Sequence, residues 1–299
     1  PDDLQLSLSQ SPHSPEGEGL LRFKLYRQHK DIPLSDALPM MENMGLRVIS
    51  EHPHRVETDG TPAYIQDFEV ETSIAGLDVA RASADFSEAF ARLWHGDAEN
   101  DGFNKLILGA GLDWRQVSVL RGYGKYLQQV GVPFSQNYVE DTFTRYPLLA
   151  RLLIEAFQAR FDPAAGNEDK AEAKAASELL GQQLAALAGG SAAVLETLKP
   201  VIASRGNGRN ARYDSARNAL RALLNDVSSL DEDRIVRSFM GVIDATLRTS
   251  YYQRNAEGGF KDTIAFKFDS AKVPDAPKPR PYREIFVYGP RTEGIHLRF

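Results

Sequence analysis

Between Asn104 and Phe161 three apolar-periodic blocks follow one another with almost no loop, separated only by Gly111-Leu112-Asp113 and by the stretch from Gly131 to Ser135. In the last block Val139, Phe143, Tyr146, Leu149, Leu153, Ile154, Phe157 and Phe161 recur at three- and four-residue intervals. That spacing lines one face of an α-helix and predicts a single helix across the block. Asp113 and Ser135 stand where N-caps are needed, and Gly111 and Gly131 suit the left-handed conformation that closes a helix. The chain is therefore built around a helical body. Nothing in this stretch is a catalytic motif.

Ahead of the body the pattern is mixed. Residues 1–19 are rich in Ser, Pro and Gly without sustained periodicity, and read as a flexible tail. Leu20 to Gln28 alternates as a half-buried strand does. Leu34, Leu38, Met41 and Met44 make a short helix ended by Gly45. Leu46 to Glu57 and Ala63 to Thr72 form two strands around an Asp59-Gly60 turn, and Phe86, Ala89, Phe90, Leu93 and Trp94 mark a second helix. The order strand, helix, strand, strand, helix is a split ferredoxin-like βαββα unit over 20–97 that lacks an obvious last strand.

The helical domain is expected over 98–255. After Phe161 an alanine-rich stretch carries Leu180, Leu184 and Leu187 on one stripe, and Gly189-Gly190 breaks it. Ala216, Leu220, Leu223, Leu224 and Val227 continue the pattern. A last helix starts at Ser229, with acids in its first turn, and is expected to run through Leu247 to Tyr251. From 256 onward the period changes to two. Ile264, Phe266 and Phe268 mark one strand, REIFVYG and GIHLRF two more, and a Pro-rich tether lies between. The fold class is thus α+β and mostly helical: a small βαββα module, an α-helical body, then a few terminal β-strands. The absence of an initial Met and a strand running to Phe299 lead to the expectation that the chain is a piece of a longer protein.

Composition narrows the function. The 299 residues carry no cysteine, which removes disulfides, Cys-ligated metals and thiol nucleophiles together. A formal net charge of −6 gives no long-range field favouring nucleic acid or an anionic membrane. No apolar run approaches the ~20 residues of a membrane helix, and a cytoplasmic protein is expected.

The tempting constellations have plainer readings. Gly206-x-Gly208-x-x-Ala211 fits the dinucleotide fingerprint formally, but the stretch before it reads as helix or loop, not strand. Arg205, Arg209, Arg212, Arg217 and Arg221 cluster around Tyr213 and could grip a phosphate, yet a solvated turn and helix face is the expectation. His52 and His54 share one side of a strand, but two ligands are too few for a metal. No residue is assigned a catalytic, cofactor-binding or metal-ligating role.

Four blocks carry a resemblance: LRFKLYRQHKDIPLSDALPMMENMGLRVISEHPHRV, LWHGDAENDGFNKLILGAGLDWRQVSVLRGYGKYLQQVGVPFSQNYVEDTF, SLDEDRIVRSFMGVIDATLRTSYYQ and PRPYREIFVYGPRTEGIHLRF. Together they resemble the large NAD-specific glutamate dehydrogenases of bacteria, over about residues 20–160 and 228–299. The resemblance implies an ACT-like regulatory module at 20–97 and the opening strands of the substrate domain at 256–299. It also implies that the catalytic lysines and the Rossmann domain lie past Phe299. NAD would then serve the full-length enzyme and none would bind here. Expected partners are the rest of the chain and further copies in a homo-oligomer; for the ACT-like module a small amino-acid effector stands as the alternative to packing or oligomer contacts, and nucleic acid and membrane are not expected. In ACT domains an amino acid sits at an Asp/Asn-x-Pro-Gly-type turn between the first strand and first helix. The matching residues are Asp31, Ile32, Pro33, Leu34 and Ser35, with Leu34 in place of the glycine that admits close backbone approach.

Overall fold

The computed structural model describes residues 4–12, 19–58, 60–74 and 76–299. The chain divides into two compact units, residues 1–117 and 118–299, each with its own core and sheet.

The first unit contains β1 (Gln5–Gln10), β2 (Leu20–Gln28), α1 (Leu34–Asn43), β3 (Leu46–Thr58), β4 (Thr61–Thr72), α2 (Val79–Trp94) and α3 (Lys105–Gly109). Its sheet is antiparallel with order β1-β2-β4-β3. The βαββα unit expected from the pattern is therefore present from β2 to α2. Its missing strand comes from upstream: Gln5–Gln10, inside the stretch read as a tail, pairs with β2 in the place a ferredoxin-like fold gives its last strand. The alternation of Leu4, Leu6 and Leu8 carried that strand. Leu8 is 5% exposed against the covered face, and Ser83 of α2 donates to its carbonyl. The remaining parts of the tail (residues 1–3 and 13–18) and Asp59 of the hairpin turn lie outside the described residues.

One face of this sheet is buried under α1 and α2. Phe23 meets Phe86 and Phe90 edge-on at 5.3 and 5.1 Å, geometry in which the positive ring edge faces the negative π-cloud. Asp78 caps α2 by accepting from the Arg81 N–H.

α4 (Trp114–Gln129) begins in the last residues of the first unit, and the second unit, from residue 118, continues with α5 (Gln136–Arg145), α6 (Pro147–Phe161), α7 (Lys170–Leu187), α8 (Ala192–Ala203), α9 (Arg209–Leu224) and α10 (Leu230–Ala245). The expected caps are made: Asp113 and Gln116 exchange hydrogen bonds at 2.8 and 3.0 Å, and Ser135 accepts from Tyr138 N–H. Gly111 and Gly131 adopt φ of +61° and +91°. The single helix expected over 139–161 is instead two. Tyr146 sits at φ −121°, ψ 62°, because the following Pro147 clashes with an α conformation in the residue before it and then opens α6 at its first position.

The last helix also ends sooner than its pattern indicates. It stops at Ala245, and β5 (Thr246–Thr249) joins β6 (Ile264–Phe268), β7 (Arg283–Gly289) and β8 (Thr292–Arg298) in a second antiparallel sheet of that order. Thr246 shows why: its Oγ1 donates back to Val242 and meets the Tyr123 hydroxyl at 3.1 Å, while its backbone enters the ladder opposite Phe268. Tertiary pairing outweighs local helical periodicity here. The sheet lies on α4, where Tyr126 stacks on Phe268 at 4.1 Å and donates to Glu284 at 2.6 Å.

Candidate functional site

The turn from β2 into α1 is the place to which the sequence directs attention. Lys30 N–H bonds back to the Gln28 carbonyl across His29, whose φ is +68°. This is a tight γ-turn with a non-glycine residue in the left-handed region, a conformation that surrounding structure must hold in place. His29 N–H bonds the Pro62 carbonyl at 2.9 Å and supplies part of that support.

The strained turn borders an open concavity of about 610 Å³ lined by Arg27, Lys30, Asp31, Pro33, Asp36, Met40 and Trp94. Arg27 lies over the Trp94 ring at 5.5 Å and donates to the Asp31 carbonyl at 3.1 Å, so one cation ties the aromatic wall to the turn. Two cationic and two anionic side chains around an aromatic and a thioether form a wall with no net charge. Such a wall suits a dipolar molecule with an apolar part.

The five residues singled out from the sequence divide. Asp31 and Pro33 line the concavity. Ile32 is buried at 2% exposure, and its carbonyl accepts from Gln66 Nε2 at 2.6 Å, so it anchors the turn. Leu34 opens α1 and is 39% exposed, and the Ser35 hydroxyl donates to Asp36. Arg27, Lys30, Asp36, Met40 and Trp94 were not singled out. Arg27 and Lys30 flank the turn and could have been read from it, whereas Trp94 is brought in by the packing of α2.

The other clusters resolve into structure. Of the five arginines expected on a solvated face, Arg209 and Arg221 are exposed, and the other three are drawn into ion pairs. Arg205 pairs with Glu155 at 2.5 Å and Arg212 with Glu168 at 2.6 Å, while Arg217 and Tyr213 share Asp244. Their carboxylates come from α6, the α6–α7 connection and α10, out of reach of local pattern. Burial, with the hydrogen bond to Asp244 second, pushes the Tyr213 hydroxyl up to about 12. Burial alone would raise Glu168, but backbone N–H groups including that of Gly166, together with Arg212, hold it below the usual carboxylate range.

The turn through Gly206 and Gly208 joins α8 to α9, with Ala211 already in α9 and no strand before it, so it does not fit the pyrophosphate of a dinucleotide. His52 and His54 are exposed on β3. Among the described residues no group of three or more His, Asp or Glu is placed to hold a metal ion. No described helix is long and apolar enough to cross a membrane.

Comparison with known proteins places these units. Residues 3–83 match the family described as glutamate dehydrogenase, ACT3 domain; residues 98–163 match glutamate dehydrogenase, helical motif 3; residues 219–299 match bacterial NAD-glutamate dehydrogenase, catalytic domain. The chain is 40% identical over 285 residues to the NAD-specific glutamate dehydrogenase of Halomonas elongata, covering 95% of this chain and 15% of that protein. It is 36% identical over 309 residues to the Pseudomonas aeruginosa protein of the same name, covering 99% and 17%, and 34% identical over 290 residues to that of Mycobacterium tuberculosis, covering 94% and 16%. Along nearly its whole length the chain is similar to one part of the NAD-specific glutamate dehydrogenases. It spans 15–17% of the length of these relatives.

Within that family the first sheet is the ACT-like part, and the ACT3 match takes in β1 as well as β2. The glutamate dehydrogenase catalytic-domain match begins at residue 219, inside α9, and so includes α10 and β5 ahead of the strands expected from 256.

Proposed function

We propose that this chain is a noncatalytic regulatory and assembly portion of a cytoplasmic, homo-oligomeric, NAD-dependent glutamate dehydrogenase. The whole enzyme converts L-glutamate, NAD and water to 2-oxoglutarate, ammonia and NADH. The carrying observation is the alignment: nearly all of this chain matches proteins of that name, and an ACT-like sheet and helices precede a catalytic-domain match. The residues themselves support a supporting role. Arg205, Arg212 and Arg217 are drawn into internal ion pairs, and the glycine-rich turn beside them does not fit a dinucleotide. The substrate and cofactor chemistry of the reading lies outside these residues. Incubating the 299-residue protein with glutamate and NAD should give no NADH above background, beside a longer polypeptide from the same reading frame that does. NADH formed by the short protein would overturn the assignment.

A second reading is favoured by the concavity beside α1: the ACT-like unit senses an amino acid. Lys30 and Arg27 would face the ligand carboxylate, Asp31 and Asp36 its ammonium group, and Trp94 and Met40 its side chain. A ligand that binds only the folded state raises the melting temperature as RT ln(1 + [L]/Kd), about 2.7 kcal/mol at a hundredfold excess over Kd. One amino acid of a panel at millimolar concentration should raise Tm by several degrees, and Trp94→Ala should remove that rise. No shift with any of them, together with no calorimetric heat, would leave the unit a packing module.

A further inference from the structure

The register of the first sheet orders the chemistry of the face that α1 and α2 do not cover. Across its strands this face presents Ser9, Arg22, Glu69 and Ser50 in one row; Ser7, Lys24, Asp67 and His52 in the next; then Gln5, Tyr26, Ile65 and His54. Leu20, Glu71 and Arg47 flank these rows at one end, and Gln28, Ala63 and Val56 at the other. Cations therefore stand in a column on β2 and carboxylates in a column on β4, with an aromatic and aliphatic pair beside them. Asp67 is drawn to 3% exposure between Arg22 and Lys24, whose side chains remain 38% and 31% exposed. Val56 is 43% exposed. A sheet apolar on one face and half-buried on the other, with ordered charge, is a layer awaiting another layer.

We propose that the occupant is the same face of a second copy of this chain, related by a two-fold axis that runs along the strands between β2 and β4. The register selects that axis. Rotation about it puts β2 over the partner's β4 at the same level, so Arg22 faces Glu69, Lys24 faces Asp67 and Tyr26 faces Ile65 in both directions. β1 then lies over β3, which sets Ser7 above His52. The contact is isologous, as a closed dimer requires. A face four strands wide, about 4.8 Å each, and about nine residues long at about 3.3 Å each offers roughly 550 Å². The standard interface buries about 800 Å² per partner, so this is a modest dimer governed by charge order and sensitive to salt. It supplies an interface for the assembly role proposed above. It does not rest on the dehydrogenase chemistry, because its test needs no activity.

The chain has no cysteine, so introduced ones are unique. Ser7→Cys and His52→Cys proteins, purified separately and mixed, should cross-link to each other with a bismaleimide spanning the about 10 Å between stacked sheets. Ser7→Cys alone should not, since its two copies lie on opposite sides of the axis. Sedimentation at low ionic strength should show a dimer that dissociates as added salt shortens the screening length to a few ångströms, about 3 Å at 1 M. Ile65→Lys should be monomeric throughout with an unchanged circular dichroism spectrum. A monomer at every salt concentration, or self-linking of Ser7→Cys as strong as the mixed pair, would overturn the proposal. A salt-indifferent dimer that survives Ile65→Lys would assign assembly to another surface.

Discussion

Replacing Gly241 by alanine should destabilise the second unit by about 2 kcal/mol, although general helix propensity argues for the opposite sign. Gly241 lies within α10, where alanine is worth about 1 kcal/mol more than glycine. A Cβ there would stand 2.2 Å from Cγ and 3.1 Å from Cδ of Pro274. A pyrrolidine ring is not the free end of a flexible chain, and it follows Val273, which is 1% exposed. Relief must come from shifting the backbone around Pro274 or α10 itself, and overpacking of this kind costs about 1–3 kcal/mol or more. The clash therefore outweighs the propensity gain. For a unit of this size 1 kcal/mol moves Tm by about 2–4 °C, so calorimetry should show a fall of about 4–8 °C. Pro274→Ala, which removes both contacting atoms, should recover most of the loss in the double variant. A Tm equal to or above that of the parent would show that the loop yields freely and that the contact is unimportant.

That contact marks a limit of what the residues disclose. Periodicity disclosed the helices because burial of one face repeats every turn. Caps disclosed where they begin, because Asp113, Ser135 and Ser229 satisfy backbone N–H groups that the helix leaves unpaired. The break at Tyr146 was also written in the sequence, in Pro147, but the apolar stripe runs straight through it. Phe143 packs on Phe239 from α5, and Phe157 on Tyr251 from α6, so both sides of the break point into one core and the spacing hides the bend.

Other features depended on distant pairing. Leu4, Leu6 and Leu8 alternate for too short a distance to stand out from a Ser-rich context, and only β2 makes a strand of them. Thr246 to Thr249 continue a helical pattern that Phe266 and Phe268 convert to sheet. The candidate site shows the same division. Asp31 and Pro33 were legible as a turn, while the aromatic wall at Trp94 arrives sixty-three positions later (94 − 31). Local rules identify the turn, and packing decides what it faces.

The arginine cluster carries the second large effect. Glu155 on α6 accepts from Arg151 Nε at 3.1 Å and from Arg205 at 2.5 Å, and Arg151 reaches on to Gln183 of α7 at 2.7 Å. The three charged side chains are 5%, 8% and 15% exposed. One carboxylate thus neutralises two sequestered guanidinium groups and joins α6 to the turn before α9. Glu155→Ala should cost about 3–5 kcal/mol, because two guanidinium groups lose the carboxylate they share in a site that water reaches poorly. Tm should fall by roughly 10 °C on the scaling for a unit of this size. The control is the Lys199–Glu196 pair, whose side chains are 67% and 69% exposed. Glu196→Ala should change stability by no more than about 0.5 kcal/mol, since solvent screens the pair and ordering two long side chains offsets its attraction. Glu155→Gln, which keeps the shape and one acceptor, should fall between the two. Equal losses for Glu155→Ala and Glu196→Ala would mean that the buried arginines find water or other acceptors, and that apolar packing alone holds α6 to its neighbours. The ordering expected here, with Ala at 155 far below Gln at 155 and Ala at 196 near the parent, ties the stability of the helical body to a charge network that a net charge of −6 conceals.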